Sequence, residues 1–204
     1  MIVFVSGGAR SGKSGVAERL AIQLSRTGHG QGGALYYLAT ARAGDAEMVQ
    51  RIQRHRRQRG DGWITVEAPL ALASTLAGIP HGSSVLLDCL TLWASQWLFQ
   101  PATGSLAWCE DIQPGSQLEA RGLAELDAAL DCARRRRLSL VVVSNDLNED
   151  LLPQQPLVWR YLAFLQRLHC RLASEAERVV EVVAGVAIDW KPYDTAPGNS
   201  TGKA

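Results

Sequence analysis

Two segments of this chain carry residues whose types and spacing could do chemistry on phosphate. The first is Gly7-Gly8-Ala9-Arg10-Ser11-Gly12-Lys13-Ser14, which fits G-x-x-x-x-G-K-S. Its glycines let backbone N–H groups turn inward around an anion without Cβ clashes. Lys13 would reach the β- and γ-phosphates, Ser14 would ligate Mg2+, and a helix starting here adds its positive dipole end. Such a match arises by chance in roughly one chain in a hundred of this length. Here it follows the apolar, β-branched run Ile2 to Val5 and opens the amphipathic run Lys13 to Arg26, as the mechanism requires. That context weighs against an ordinary glycine-rich turn. Asp88 ends a further apolar run, Val85 to Leu87, where an acidic residue serves as the magnesium-side partner in such folds. Its plainer role would be a helix N-cap before Leu90.

The second segment is a helix expected from Asp45 to Arg59. Arg51, Arg54, Arg56, Arg57 and Arg59 crowd it around His55. Arg51 and Arg59 lie four residues either side of His55 and so share its face. Cations that close repel one another and need anions, of which a nucleoside triphosphate is one. They also disfavour the charged imidazole. From an ordinary value near ~6.5 the ring would be neutral at pH 7, with a free lone pair usable against phosphorus. The rival reading is a solvated basic face carrying a passenger histidine, which sequence statistics alone favour. His29 and His81 in loops and His169 on a helix have no comparable setting and read as surface or core residues.

These residues need elements to hold them. Strands are expected at Ile2 to Val5, Leu35 to Ala39, Trp63 to Val66, Val85 to Leu87 and Leu138 to Ser144, with a final one at Val179 to Ala184. Helices are expected at Lys13 to Arg26, Asp45 to Arg59, Pro69 to Ala77, Leu90 to Phe99, Gln117 to Arg137 and Leu157 to Ala176. Gln100 to Ser116 reads as a surface loop. Strands alternating with helices imply an α/β fold, P-loop NTPase-like, with a mostly parallel β-sheet flanked by helices on both faces. The strands are nearly all apolar, which suits burial on both sides. Residues 1–191 read as a single domain and the polar stretch 192–204 as a flexible tail. Arg134 to Arg137 reads as a dipole-favoured, solvated helix end. Trp93, Trp97 and Trp108 read as core before interface.

Composition narrows the function classes. The chain has 204 residues, 47% hydrophobic and 20% charged, which is globular rather than disordered. A net charge of +1 supplies no field toward nucleic acid, and no apolar run approaches the ~20 residues of a membrane span. Four widely spaced cysteines suggest neither a zinc site nor a disulfide scaffold, and so a reducing, cytoplasmic setting. The N-terminus has neither the basic flank nor the length of a signal peptide.

Taken together, these residues resemble the bifunctional adenosylcobinamide kinase / adenosylcobinamide-phosphate guanylyltransferase family of cobalamin biosynthesis, over about residues 1–191. The loop from Gly7 to Ser14 is the family's. Ala39-Thr40-Ala41, Asp45, Glu47-Met48, Arg51-Ile52 and His55-Arg56 follow its second block. Trp63, Thr65, Glu67 and Pro69 match its third, and Asp88-Cys89-Leu90-Thr91-Leu92-Trp93 its fourth. The resemblance implies that His55 becomes guanylylated, reversing the statistical preference, with Lys13 as the second catalytic residue. It implies nucleotide contacts at Gly7 to Ser14, Thr40, Ala41, Arg42, Arg56, Arg57, Gln58, Arg59, Glu67 and Asp88, with Mg2+ at Ser14 and Asp88. GTP and ATP would be substrates with adenosylcobinamide, and the assembly a small homo-oligomer such as a trimer.

The C-terminal half departs from the family's pattern. Val143-Ser144-Asn145 fits, but Asp146, Asn148 and Asp150 stand where the family has a glutamate and two glycines. Leu162, Ala163, Gln166 and His169 stand where it has an arginine–aspartate pair, a glycine and an asparagine. Gln96 replaces an asparagine, while Gly185 and Lys191 agree. These changes bear on corrinoid recognition or the kinase step. The alternatives are a P-loop kinase or nucleotidyltransferase on another small substrate, a family member with one activity lost, or a nucleotide-binding regulator. An arginine-rich RNA-binding module fits poorly with the charge balance.

Overall fold

A computed structural model describes residues 1–27, 33–40, 62–99, 116–147 and 155–191. The expected helix Asp45 to Arg59, the expected surface loop Gln100 to Ser116 apart from Ser116 itself, which is buried as a helix N-cap, and the tail 192–204 lie outside these. So do Trp108, Asn148 and Asp150.

The strands are β1 (Ile2–Ser6), β2 (Leu35–Ala39), β3 (Trp63–Glu67), β4 (Ser84–Asp88), β5 (Ser139–Val143), β6 (Arg178–Val183) and β7 (Val186–Lys191). The helices are α1 (Lys13–Thr27), α2 (Leu72–Ala77), α3 (Leu90–Phe99), α4 (Gln117–Arg135) and α5 (Pro156–Glu175). The strands form one sheet in the order β3-β2-β4-β5-β1-β6-β7, parallel except for the antiparallel β6–β7 pair.

The alternation of each strand divides the core in two. Val3, Val5, Tyr37, Ala39, Leu86, Val141, Val143, Val180 and Val182 face one side and pack against Val16, Ala17, Leu20 and Ala21 of α1. Ile2, Phe4, Leu38, Val85, Leu87, Leu140 and Val142 face the other and pack against α2 to α5. Both faces are therefore dry, and near-continuous apolar strands are the sequence that satisfies them. Trp93 and Phe164 are fully buried there, and Trp97 packs at the same core, so these tryptophans are core residues.

The structure departs from four of these expectations. The second helix begins at Leu72, not Pro69. Ala68 N–H continues the strand pairing to Ala39 O, and Trp93 Nε1 donates to Leu70 O at 2.9 Å, keeping Pro69 and Leu70 out of the helix. Helix α4 ends at Arg135, because Arg137 turns left-handed (φ 53°) and Leu138 N–H closes back on Ala133 O. Its arginines are not a plain solvated end: Arg134 pairs with Glu175 at 2.8 Å, and Arg136 Nε donates to Ile79 O at 2.8 Å. The strand at Arg178–Val183 is not the last. Ala184 and Gly185, both at positive φ, turn the chain into β7, whose Val186, Ile188 and Trp190 alternate on an exposed edge.

Candidate active site

Parallel strands place their carboxyl ends on one edge, and the chemistry-bearing residues gather there. Ala39 is in register with Glu67 on one side and Asp88 on the other, and Asp88 with Val143. Val5 is in register with Val143, so β1 delivers Gly7 to the same edge.

The loop from Gly7 to Ser14 joins β1 to α1, as expected. Gly7 has φ 153°, and a Cβ there would lie 2.4 Å from Val182 O, so no other residue fits. Gly12 has φ 91° and passes close to Gly185. The loop is fixed by backbone bonds from three directions: Ser11 N–H to Gly8 O, Gly185 N–H to Ser11 O at 2.8 Å, and Asp146 N–H to Gly7 O at 2.9 Å. The tip of the β6–β7 hairpin thus rests on the loop. Ala9, Arg10 and Gly12 are exposed, with Arg10 left-handed at φ 61°. Ser11 Oγ is buried and has no hydrogen-bond partner among the described residues. A buried hydroxyl without a partner in this glycine-rich turn fits a loop shaped for an anion.

Lys13 is buried and donates Nζ to Gly8 O at 2.9 Å. Burial lowers its affinity for a proton, and Cys89 and Asp88 oppose that shift. The opposition places the Asp88 carboxylate in the electrostatic reach of Lys13. Ser14, half-buried, stands in the first turn of α1, which carries no acidic residue to compete for an anion. The Ser14 hydroxyl and the Asp88 carboxylate are hard oxygen donors of the kind that suits Mg2+.

Asp88 is half-buried and accepts a hydrogen bond from Tyr37 Oη at 2.7 Å. Thr40 is fully buried, and its hydroxyl both donates to Cys89 O (2.9 Å) and accepts from Cys89 N–H (3.0 Å). Thr40 therefore braces the Asp88–Cys89 backbone, and Gln96 in turn donates to Thr40 O at 2.6 Å. The Cys89 thiol is pushed up to about 11 by burial and by Asp88, so it stays protonated and unreactive. Glu67 is exposed at the end of β3, about 10 Å from Asp88 by strand spacing.

The structure thus brings Gly7 to Ser14, Thr40, Glu67 and Asp88 to one edge. Ala41, Arg42, His55, Arg56, Arg57, Gln58 and Arg59 lie outside the described residues. Nothing in the sequence marks Tyr37 or the Ala184–Gly185 turn, and Thr91, Ser144 and Gly185 stand there only as matches to the family's pattern, without a role. His169, read as a surface or core residue, is in the core, bonded to Ser144. On the departing face of α5, Leu162 is half-buried, and Ala163 and Gln166 are exposed.

A phosphate loop between a first strand and first helix, with a lysine coupled to an aspartate at a nearby strand end, defines a P-loop nucleotide-binding α/β protein. The family model described as cobinamide kinase / cobinamide phosphate guanyltransferase matches residues 3–190, and the chain belongs to that family. It is 39% identical to the bifunctional adenosylcobalamin biosynthesis protein CobP of Pseudomonas aeruginosa, covering 92% of this chain and 95% of that protein. It is 31% identical to the bifunctional adenosylcobalamin biosynthesis protein CobU of Escherichia coli, covering 94% and 100% respectively. Among solved structures it is similar to the KaiC-like protein PH0186 of Pyrococcus horikoshii, with 9% identity, TM-score 0.49, and 95% of this chain and 79% of that chain covered. The flagellar accessory protein FlaH of Methanocaldococcus jannaschii is similar too, with 9% identity, TM-score 0.46, and coverage of 93% and 77%.

Proposed function

We propose that this chain phosphorylates adenosylcobinamide with ATP or GTP, and then transfers GMP from GTP to the resulting phosphate through a guanylyl-histidine at His55. The observation that carries the reading is the loop itself, complete from Gly7 to Ser14 and at the same sheet edge as Asp88, in a chain of this family. In the first reaction the aminopropanol hydroxyl attacks the γ-phosphorus, the bond to the β-phosphate oxygen breaks, and the alcohol proton is lost. Lys13 and the loop N–H groups hold the anionic oxygens through that transfer. Mg2+ bound at Ser14 and Asp88 would neutralise phosphate charge when present.

In the second reaction a ring nitrogen of His55 attacks the α-phosphorus of GTP and pyrophosphate leaves. A phosphate oxygen of cobinamide phosphate then attacks the same phosphorus, frees His55 and gives adenosylcobinamide-GDP. Covalent catalysis splits one displacement of an anion by an anion into two. Arg56, Arg57 and Arg59 would hold the departing pyrophosphate, and Ala41, Arg42, Gln58 and Glu67 would complete the nucleotide site, with Thr40 bracing Asp88 from behind.

Residues 1–191 act as one domain in this reading, in a small homo-oligomer such as a trimer. No helix among the described residues is long and apolar enough to cross a membrane. Among the described residues Cys89, Cys132 and Cys170 are free thiols, which supports a reducing, cytoplasmic setting. The experiment is incubation with α-labelled GTP, then addition of adenosylcobinamide and ATP. Label on the protein that moves to adenosylcobinamide-GDP supports the reading. Label that stays on the protein supports a second reading, favoured by the uncharged Leu162 and Ala163 on α5, in which another small alcohol or phosphate is the acceptor. No label at all overturns both.

A further inference from the structure

We propose that His169 is a positioning residue for the phosphate loop, acting through Ser144 and Thr91 on the segment that follows β5. This inference rests on the nucleotide-binding reading of that loop.

The loop depends on that segment, because Asp146 N–H is bonded to Gly7 O. Ser144 N–H continues the sheet to Val5 O at 3.0 Å. Beyond it the chain leaves the sheet, and the next hold on its backbone comes from a side chain. Asn145 N–H donates to Thr91 Oγ1 at 2.8 Å. Thr91 Oγ1 lies 3.0 Å from Ser144 Oγ, which lies 2.7 Å from His169 Nε2. One buried polar thread therefore runs from α5, through the end of β5, to the first turn of α3 and back to Asn145. Tyr161 closes a second tie between the same helices, donating to Thr91 O at 3.0 Å.

Each hydroxyl on this thread has one proton to donate, so its orientation is set by what its neighbour accepts or offers. His169 terminates the series and fixes it. The ring is itself fixed, buried and against Phe4 at 5.3 Å between centroids. Burial keeps it neutral at pH 7, with one donor and one acceptor nitrogen. A phenylalanine here would keep the packing on Phe4 and leave the Ser144 hydroxyl short of a partner inside the core, where water cannot replace it. The segment carrying Asp146 N–H would then lose the constraint that sets Gly7 O, and the loop its preformed shape.

The test measures affinity for a fluorescent GTP analogue, which needs no turnover. His169→Phe should weaken binding by about tenfold, the worth of one buried hydrogen bond. His169→Gln, whose amide reaches the position of Nε2 and can bond Ser144, should stay within about threefold of the parent on the same scale. Ser144→Ala should weaken binding like His169→Phe, and the double variant should be no worse than either alone. Ser144→Ala also reads the thread should His169→Phe fail to fold. Unchanged affinity in the folded single variants overturns the inference, as does equal loss in His169→Phe and His169→Gln, which would mean packing alone. A parent protein that does not bind the analogue overturns the nucleotide reading and this inference with it.

Discussion

Tyr37 and Asp88 are joined by a 2.7 Å hydrogen bond from the phenol to Oδ2, across two strands that pair in parallel. Register explains the meeting. Tyr37 opposes Leu86 and Ala39 opposes Asp88, so Tyr37 is the diagonal neighbour of Asp88 on the face that α1 covers. One carboxylate oxygen is thereby committed, and the rotation of the side chain is fixed beside Lys13. Tyr37→Phe should lower kcat by about tenfold, the worth of one hydrogen bond to a charged group. Nucleotide affinity should change by less than about threefold on the same scale. Steady-state kinetics with a parallel binding titration checks this, and equal loss in both quantities would assign Tyr37 to nucleotide binding instead.

Lys13 carries the binding half of the same arrangement. Its ammonium is held in place by Gly8 O, buried and ready to exchange that carbonyl for phosphate oxygens. Lys13→Ala should weaken binding of a GTP analogue by about ten- to a hundredfold, the range for hydrogen bonds to charged groups. Isothermal titration at fixed salt measures it.

Gly122 offers a test of packing whose sign is unusual. Glycine to alanine inside a helix ordinarily stabilises by about 1 kcal/mol. Here a Cβ would lie 2.6 Å from Phe164 Cζ and 2.8 Å from Trp97 Nε1, and Phe164 is fully buried. Trp97 cannot swing away without giving up its 2.8 Å bond to Leu118 O. Gly122→Ala should therefore destabilise, by about 1–3 kcal/mol from overpacking. Urea denaturation decides between the two signs.

His169 also predicts a pH dependence. Burial lowers its affinity for a proton from the usual 6.5 to about 4, partly opposed by Asp146. Above pH 6.5 the ring is neutral in both folded and unfolded chains, and no stability depends on it. Between 6.5 and about 4 the unfolded chain binds a proton that the folded chain refuses, so stability falls as pH falls. The full loss is about 3 kcal/mol, reached near pH 4. His169→Asn should remove this part of the slope. Denaturation of parent and variant at pH 7 and pH 4.5 isolates it, because the carboxylates contribute to both.

The loop, the strand ends and the core were legible because each is a local pattern. A glycine series between an apolar run and an amphipathic one specifies strand, turn and helix from a dozen consecutive residues. Asp88 was legible because it ends such a run. Tyr37 was not, since its meaning lies in a partner 51 positions away that only the register supplies. Ser144 and Thr91 were hidden likewise, being ordinary polar residues until α5 and α3 bring them together. β7 does alternate, at Val186, Ile188 and Trp190. The Ala184–Gly185 turn lacks the asparagine or aspartate that usually marks a two-residue hairpin. Pro69 misled for the opposite reason: a strong helix-start signal was overridden by the Leu70 bond to Trp93.

The covalent step at His55 is central to the proposed guanylyl transfer. The most direct measurement is peptide mapping of the protein after incubation with α-labelled GTP. A phosphoramidate is acid-labile and alkali-stable, because acid protonates the ring nitrogen and makes it a good leaving group. A GMP adduct with that lability is expected on the peptide containing His55, absent from His55→Ala and intact when His29 or His81 is replaced singly. A GMP adduct on a peptide lacking His55, or full labelling of His55→Ala, would contradict the covalent step at His55.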